Sequence, residues 1–252
     1  VNTNTEDFVA WNWKANGAGS LNEVGSIDST VSANTTSGFS IVKYTGNNIA
    51  GATVGHGLGI APSLIITKGL ATTEGWAVGG THVNNWNNYL SLNGSDSWWD
   101  DITMWNDTAA TSTVFSLGSG NLTNDNELII AYCFADVSGF SKFSSYTGNG
   151  NADGPFIYTG FKPAYVLVKE TGNTNSWRLV DNKRSPSNVM NNTLFPNLNN
   201  AQETSSNEID FLSNGFKPRT SDTNMNRSAG NYIYMAFAEE PLVANVGSGL
   251  PA

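Results

Sequence analysis

The chain has 252 residues, 12 Lys plus Arg against 21 Asp plus Glu, and a formal charge of −9. Affinity for nucleic acid comes largely from Lys and Arg displacing counterions, so this balance excludes DNA and RNA as partners. With a single cysteine no internal disulfide framework exists, and no stretch approaches the roughly 18 consecutive apolar residues of a membrane-spanning helix, so membrane insertion is not expected.

Strand and turn formers (Thr, Val, Ile, Tyr, Phe, Trp, Gly, Asn, Ser) dominate throughout, which predicts an all-β chain. The 8 Trp, 8 Tyr and 12 Phe supply a core that needs neither metal nor disulfide staples. The first residues, VNTNTEDF, carry no basic start or apolar signal region, and the missing initiator Met suggests a portion of a longer or processed polypeptide. Residues 1–15 contain DFVAWNWKA, whose Ala10, Trp11 and Trp13 match Ala131, Tyr132 and Phe134 further on. They read as the closing strand of a preceding unit, able to complete a neighbouring domain or chain by strand addition. Residues 16–37 read as a linker in which Ile27, Val31 and Ala33 permit an edge strand.

From residue 38 the sequence repeats itself at an offset of about 101. GFSIVKYTGN (38–47) returns as GFSKFSSYTGN (139–149), GIAPSLIITK (59–68) as GFKPAYVLVK (160–169), Trp76 as Trp177, and ELIIAYCFAD (127–136) as NYIYMAFAEE (231–240). Four blocks in one order point to internal duplication: two tandem antiparallel β-sandwich domains, 38–137 and 138–241, followed by a Gly/Pro-punctuated tail over 242–252. LIITK and YVLVK are short and β-branched, as strands buried on both faces are, with Pro62 and Pro163 marking strand entry. In YTGN, glycine is expected to supply a positive φ. ELIIAYCFA and NYIYMAFA are aromatic, β-branched and flanked by turns, which favours strands over helices.

No catalytic constellation emerges. His56 (VGHGLG) and His82 (GGTHVNN) lie in loops and outside any hydrolase pattern, and Cys133 sits in an apolar run as a small buried hydrophobe. Asp96, Asp100 and Asp101 could offer clustered oxygens to calcium, with Asp107, Asp125 and Glu127 joining only if folding brings them near, but the spacing matches no calcium loop. No metal and no cofactor is therefore expected. Trp86, Trp98, Trp99 and Trp105 fall within 20 residues of an Asn- and Gly-rich stretch. Together with Asp96, Asp100 and Asp101 they are a candidate sugar platform, the rings stacking on pyranose faces and the carboxylates holding hydroxyls. Filling the core and the contact between copies suits the same rings. Asn-x-Ser/Thr acceptor sites begin at Asn34, Asn93, Asn106, Asn121, Asn191 and Asn226, a pattern that a chain this rich in Asn, Ser and Thr produces by chance.

FVAWNWKANG, STVSANTTSGFSIVKYTGN, VGHGLGIAPSLIITK and YIYMAFAEEP together resemble a domain family of unassigned biochemistry in tail-fibre-like and other structural proteins of marine and aquatic bacteriophages, where it often follows a concanavalin-like lectin domain. The resemblance spans roughly 7–243 and brings no catalytic residues. It implies a non-enzymatic virion appendage protein, exposed on the particle surface, contributing to host attachment. Its partners would be other virion proteins, further copies of itself and a host surface glycan. The alternative is a carbohydrate-binding module or bacterial cell-surface or filament adhesin, for which Trp98 or Trp99 should stand exposed on a concave surface.

Overall fold

The computed structural model describes residue 4 and residues 8–204 and 208–239. The chain is all-β, and no helix among the described residues exceeds four residues. Its first half runs β1 (Ser20–Asn22), β2 (Ser29–Asn34), β3 (Phe39–Thr45), β4 (Ala52–Gly55), β5 (Leu64–Gly69), β6 (Trp76–Gly80), β7 (Asn88–Ser91), β8 (Trp99–Asp100), α1 (Ile102–Trp105), β9 (Val114–Leu117), α2 (Asn121–Asn124) and β10 (Leu128–Phe134). The second half runs β11 (Ser141–Thr147), β12 (Ile157–Tyr158), β13 (Pro163–Glu170), β14 (Arg178–Asp181), β15 (Thr193–Leu194), β16 (Ile209–Leu212), β17 (Gly215–Pro218), α3 (Thr223–Asn226) and β18 (Asn231–Ala238).

The strands form an eight-stranded sheet, order β1-β2-β3-β10-β5-β6-β7-β8, and a five-stranded sheet, order β11-β18-β13-β14-β15. Smaller sheets back them: β4-β9 in the first half and β12-β17-β16 in the second. Every pairing between named strands is antiparallel, and β3-β10-β5-β6-β7 and β11-β18-β13-β14-β15 occupy their sheets in the same order. The apolar runs lie where expected, with β5 flanked by β10 and β6, and β13 by β18 and β14. Alternate side chains serve different cores. Ile65 enters the core between the eight-stranded sheet and β4-β9, with Val42, Val54, Phe115 and Ile129, while Leu64 and Ile66 face the other way. Val166 and Val168 likewise pack with Ile209, Phe211 and Phe216 above the three-stranded sheet. Between the two large sheets lies a third core, where Phe39, Leu64, Ile66 and Phe134 meet Phe143, Tyr165, Leu167, Met235 and Phe237. The result is four layers, with the two halves joined face to face.

Two expectations need correction. Among residues 8–15 no strand forms, because the outer edge of β3 is already occupied by β2. Trp13 instead enters the central core edge-on to Tyr165 (5.6 Å) and Phe134 (6.1 Å), and Trp11 lies edge-on to Tyr165 at 5.7 Å. Residues 1–3 and 5–7 lie outside the described residues. In the stretch 16–37 the strand that Val31 and Ala33 permit does form, as β2, but it is neither linker nor edge: it pairs on one side with β1 and on the other with β3, extending the first sheet. Among the described residues the second sheet has no such extension at β11. There the Phe143 N–H donates to Asp136 Oδ1 (2.9 Å), the Ser141 N–H donates to the Val137 carbonyl (2.9 Å), and Lys142 pairs with Asp136, a charged cap on an open edge. The expected tail 242–252 lies outside the described residues.

Candidate binding groove between the main sheets

The residues common to both halves hold the scaffold. Tyr44 Oη donates to the Thr123 carbonyl and Tyr146 Oη to the Met225 carbonyl, both at 2.6 Å. Asn124 and Asn226, each fully buried, staple the YTGN turns. Asn124 Oδ1 accepts from Asn47 N (2.9 Å) while its Nδ2 donates to the Gly118 (2.6 Å) and Ile49 (3.1 Å) carbonyls. Asn226 Oδ1 accepts from Asn149 N (2.8 Å) and its Nδ2 donates to the Asn151 (2.7 Å) and Thr220 (2.9 Å) carbonyls. Sequence reasoning missed both, although the separation from the turn asparagine is 77 residues in each half. The turn glycines act by close approach and not by a positive φ: a Cβ on Gly46 would stand 2.0 Å from the Asp125 carbonyl oxygen, and one on Gly148 2.4 Å from that of Arg227. Lys68 Nζ caps the carbonyls of Gly69, Thr72 and Glu74 at 2.8–3.0 Å, and Lys169 Nζ donates to those of Glu170 (2.6 Å) and Asn173 (3.5 Å).

The titratable candidates are held in the same way. His56 is fully buried; its Nδ1 accepts from Leu58 N (3.2 Å), its Nε2 lies 3.1 Å from the Thr111 carbonyl, and burial lowers its pKa. His82 is partly buried beside Ser145 Oγ (3.2 Å). Burial pushes the Cys133 thiol up to about 12, away from the thiolate that reactivity requires. Asp101 caps α1 by accepting from Thr103 N (2.9 Å), whereas Asp96 and Asp100 are exposed. Among the described residues no cluster of three or more His, Cys, Asp or Glu could hold a metal ion.

The tryptophan platform does not assemble as one surface. Trp86 and Trp105 are 2% and 0% exposed and meet edge-on at 5.5 Å inside the first-half core. The clustering of tryptophans in sequence did not reveal that α1 and the turn before β7 point these rings inward. Trp98 packs against the central core. Only Trp99 is open, 53% exposed and edge-on to Tyr89 at 5.8 Å.

A concavity of ligand size lies elsewhere. At one mouth of the interface between the large sheets, an apolar groove of about 410 Å³ is lined by Trp11, Trp13, Trp76, Leu92, Tyr132 and Pro196, among others. Its volume falls in the range of ligand sites, roughly 300–1,000 Å³. Trp76 and Tyr132 stack along one wall, ring centres 6.3 Å apart and planes 18° from parallel. In the sequence Trp76 stands out only as a repeat marker. A family model described as a domain of unknown function, DUF7483, matches residues 1–241. The chain belongs to the DUF7483 family. No curated protein and no solved structure matches it.

The second half of this DUF7483 chain also buries charge where the first half has small residues. Arg178, 7% exposed, bonds Glu203 (2.9 Å) and Glu208 (3.0 Å), and Glu170 is bonded by Arg227 Nε at 2.8 Å. The first-half positions at offset 101 are Ala77 and Gly69. Each buried carboxylate is thus neutralised by a guanidinium, an arrangement that fixes loops.

Proposed function

We propose that this DUF7483 chain is a non-enzymatic structural module of a bacteriophage virion appendage, displayed on the particle and contributing to host attachment through contacts with other appendage proteins. The observation that carries this reading is the use of its reactive groups. Both ring nitrogens of His56, the lysine amines of Lys68 and Lys169, and the carboxylates of Glu170 and Glu208 are engaged by backbone or opposite charge, and Cys133 is sealed in the core. The matching strand orders of the two halves support an origin by duplication, which enlarges surface and core together. Antibodies against the chain, imaged on intact particles, should decorate an appendage, and the purified chain should compete with particles for host adsorption. Particles that carry no such epitope would end the proposal.

A second reading, a carbohydrate-binding module, is favoured by Trp99, whose ring is exposed on β8. A glycan array should then show binding that Trp99→Ala abolishes. Binding that survives the substitution would remove this reading.

A further inference from the structure

On the outer face of the three-stranded sheet, Phe156 and Tyr158 are 48% and 66% exposed and flank Ile157, which is buried with Phe161, Phe211 and Phe216 in the second-half core. Successive residues of an extended chain point to opposite faces, so the two rings project together away from that core. Glycines make room for them: a Cβ on Gly215 would crowd the Phe156 ring at 3.0 Å, while Tyr158 passes Gly160 in ordinary contact, its Oη 3.6 Å from where a Cβ would be.

The matching strand of the first half shows that the fold does not require these rings. Phe115 of β9 and Phe216 of β17 stand 101 residues apart and pair with Val54 and Ile157, which places Phe156 and Tyr158 where the first half has Thr53 and Gly55. There the chain packs its own backbone and side chains: a Cβ on Gly55 would stand 2.4 Å from Asn22 Oδ1, and the Thr53 carbonyl accepts from Ser26 N and Ile27 N, both at 3.0 Å. The shared scaffold thus carries small residues where it is covered and two aromatic rings where it faces solvent. Large apolar side chains grouped at the surface without a packing duty mark a contact site.

The charges beside the rings select the ligand. Lys217 follows Gly215 by two on β17 and so shares the outer face. Its Nζ and Arg219 Nη1 reach Asp153 Oδ1 at 2.7 and 3.0 Å, and Arg219 Nε lies 3.4 Å from Asp210 Oδ2. Two cations are balanced by two carboxylates, which offers no surplus positive charge to a phosphate, sulfate or sialyl group, and the net charge of −9 disfavours anionic polymers further. An uncharged pyranose fits: its C–H face stacks on an aromatic ring while its hydroxyls bond the Tyr158 phenol and the Asp153 and Lys217 side chains. We propose that Phe156 and Tyr158, flanked by Lys217 and Asp153, form a binding platform for neutral glycans. The inference rests on reading the chain as a host-attachment module and names the ligand class it holds. Each fails separately, because position on the particle and sugar binding by the purified chain are measured independently.

The probes are maltohexaose, cellohexaose, mannohexaose and N-acetylchitohexaose, titrated into the full chain while aromatic side-chain resonances are followed by NMR, with sialyllactose and heparin as anionic counterparts. The expected result is saturable binding of at least one neutral oligosaccharide that shifts the Phe156 and Tyr158 ring signals, with affinity about tenfold weaker or worse in Phe156→Ala and in Tyr158→Ala. Leu21→Ala, a truncation of an exposed apolar side chain on β1, should bind as the parent does. The ring shifts in the unsubstituted chain are read independently of how well any variant folds. The proposal is overturned if none of the neutral probes moves either ring at millimolar concentration, if only the anionic ones do, or if Tyr158→Ala binds equally. Binding lost in Trp99→Ala and kept in Tyr158→Ala overturns it in favour of the Trp99 site. A self-associated parent that Tyr158→Ala renders monomeric, without sugar binding, overturns it in favour of a contact between copies.

Discussion

Asn124 and Asn226 each satisfy both sides of a terminal amide inside the protein, so truncation strands several backbone groups away from water. Asn124→Ala and Asn226→Ala should each cost about 3 kcal/mol, read as a lower urea midpoint, whereas alanine at exposed Asn199 should leave it unchanged. Glu208 makes a pH-dependent contribution. Its side chain is 1% exposed, and burial raises its carboxyl from 4.5 to about 7, with Arg178 opposing the rise. Between these values the folded chain holds a proton that the unfolded chain has released, so stability declines as pH rises from about 4.5 to about 7 and then levels off. Glu208→Gln should flatten that slope in unfolding curves recorded across the window. An unchanged slope would show that Glu208 does not carry it.

At the scale of the element, Gly79 on β6 and Trp105 on α1 show how tightly a strand and a four-residue helix are fitted. A Cβ at Gly79 would lie 2.3 Å from the Trp105 ring, so Gly79→Ala should cost about 1–3 kcal/mol by overpacking and perturb the near-UV signal of that indole. The strands β5, β10, β13 and β18 were legible because short β-branched and aromatic runs bounded by turns have few other ways to bury themselves. Residues 8–15 were misread because Ala10, Trp11 and Trp13 match Ala131, Tyr132 and Phe134 of β10, but whether an edge is free to receive them depends on β2, whose place beside β3 no local pattern records. Trp13 therefore acts as a wedge between sheets, and Trp13→Ala should lower stability by about 3 kcal/mol without changing the strand content seen by circular dichroism. The groove was illegible because Trp76 and Tyr132, far apart in sequence, meet across β5 of the first sheet, and Pro196 joins them only when the second half packs on it. The charged staples of the second half were hidden too, since nothing local marks Arg178 on β14 and Glu208 just before β16 as a buried pair until the two strands are brought together.

For the whole molecule, the central core makes the two halves one cooperative unit. Phe134 of β10 touches Phe143 and Phe237 of the second half (5.6 and 6.1 Å), so neither half presents a finished surface without the other. Urea unfolding followed by tryptophan fluorescence and by circular dichroism should give coincident single transitions. Two separated transitions would show that the halves are independent.

The hollow lined by Ala10, Trp11 and Trp13 is lined also by Ala238 and Glu239, so the earliest and latest parts of the described chain leave the body at one place. A circular permutant joining residue 239 to residue 8 through a short glycine linker, opened between exposed Ile60 and Ala61, should fold with its spectrum intact. Spliced into a longer polypeptide, such a body hangs to one side like a bead on a loop: tension along the thread would peel the two ends from each other first, leaving the sheets themselves unloaded.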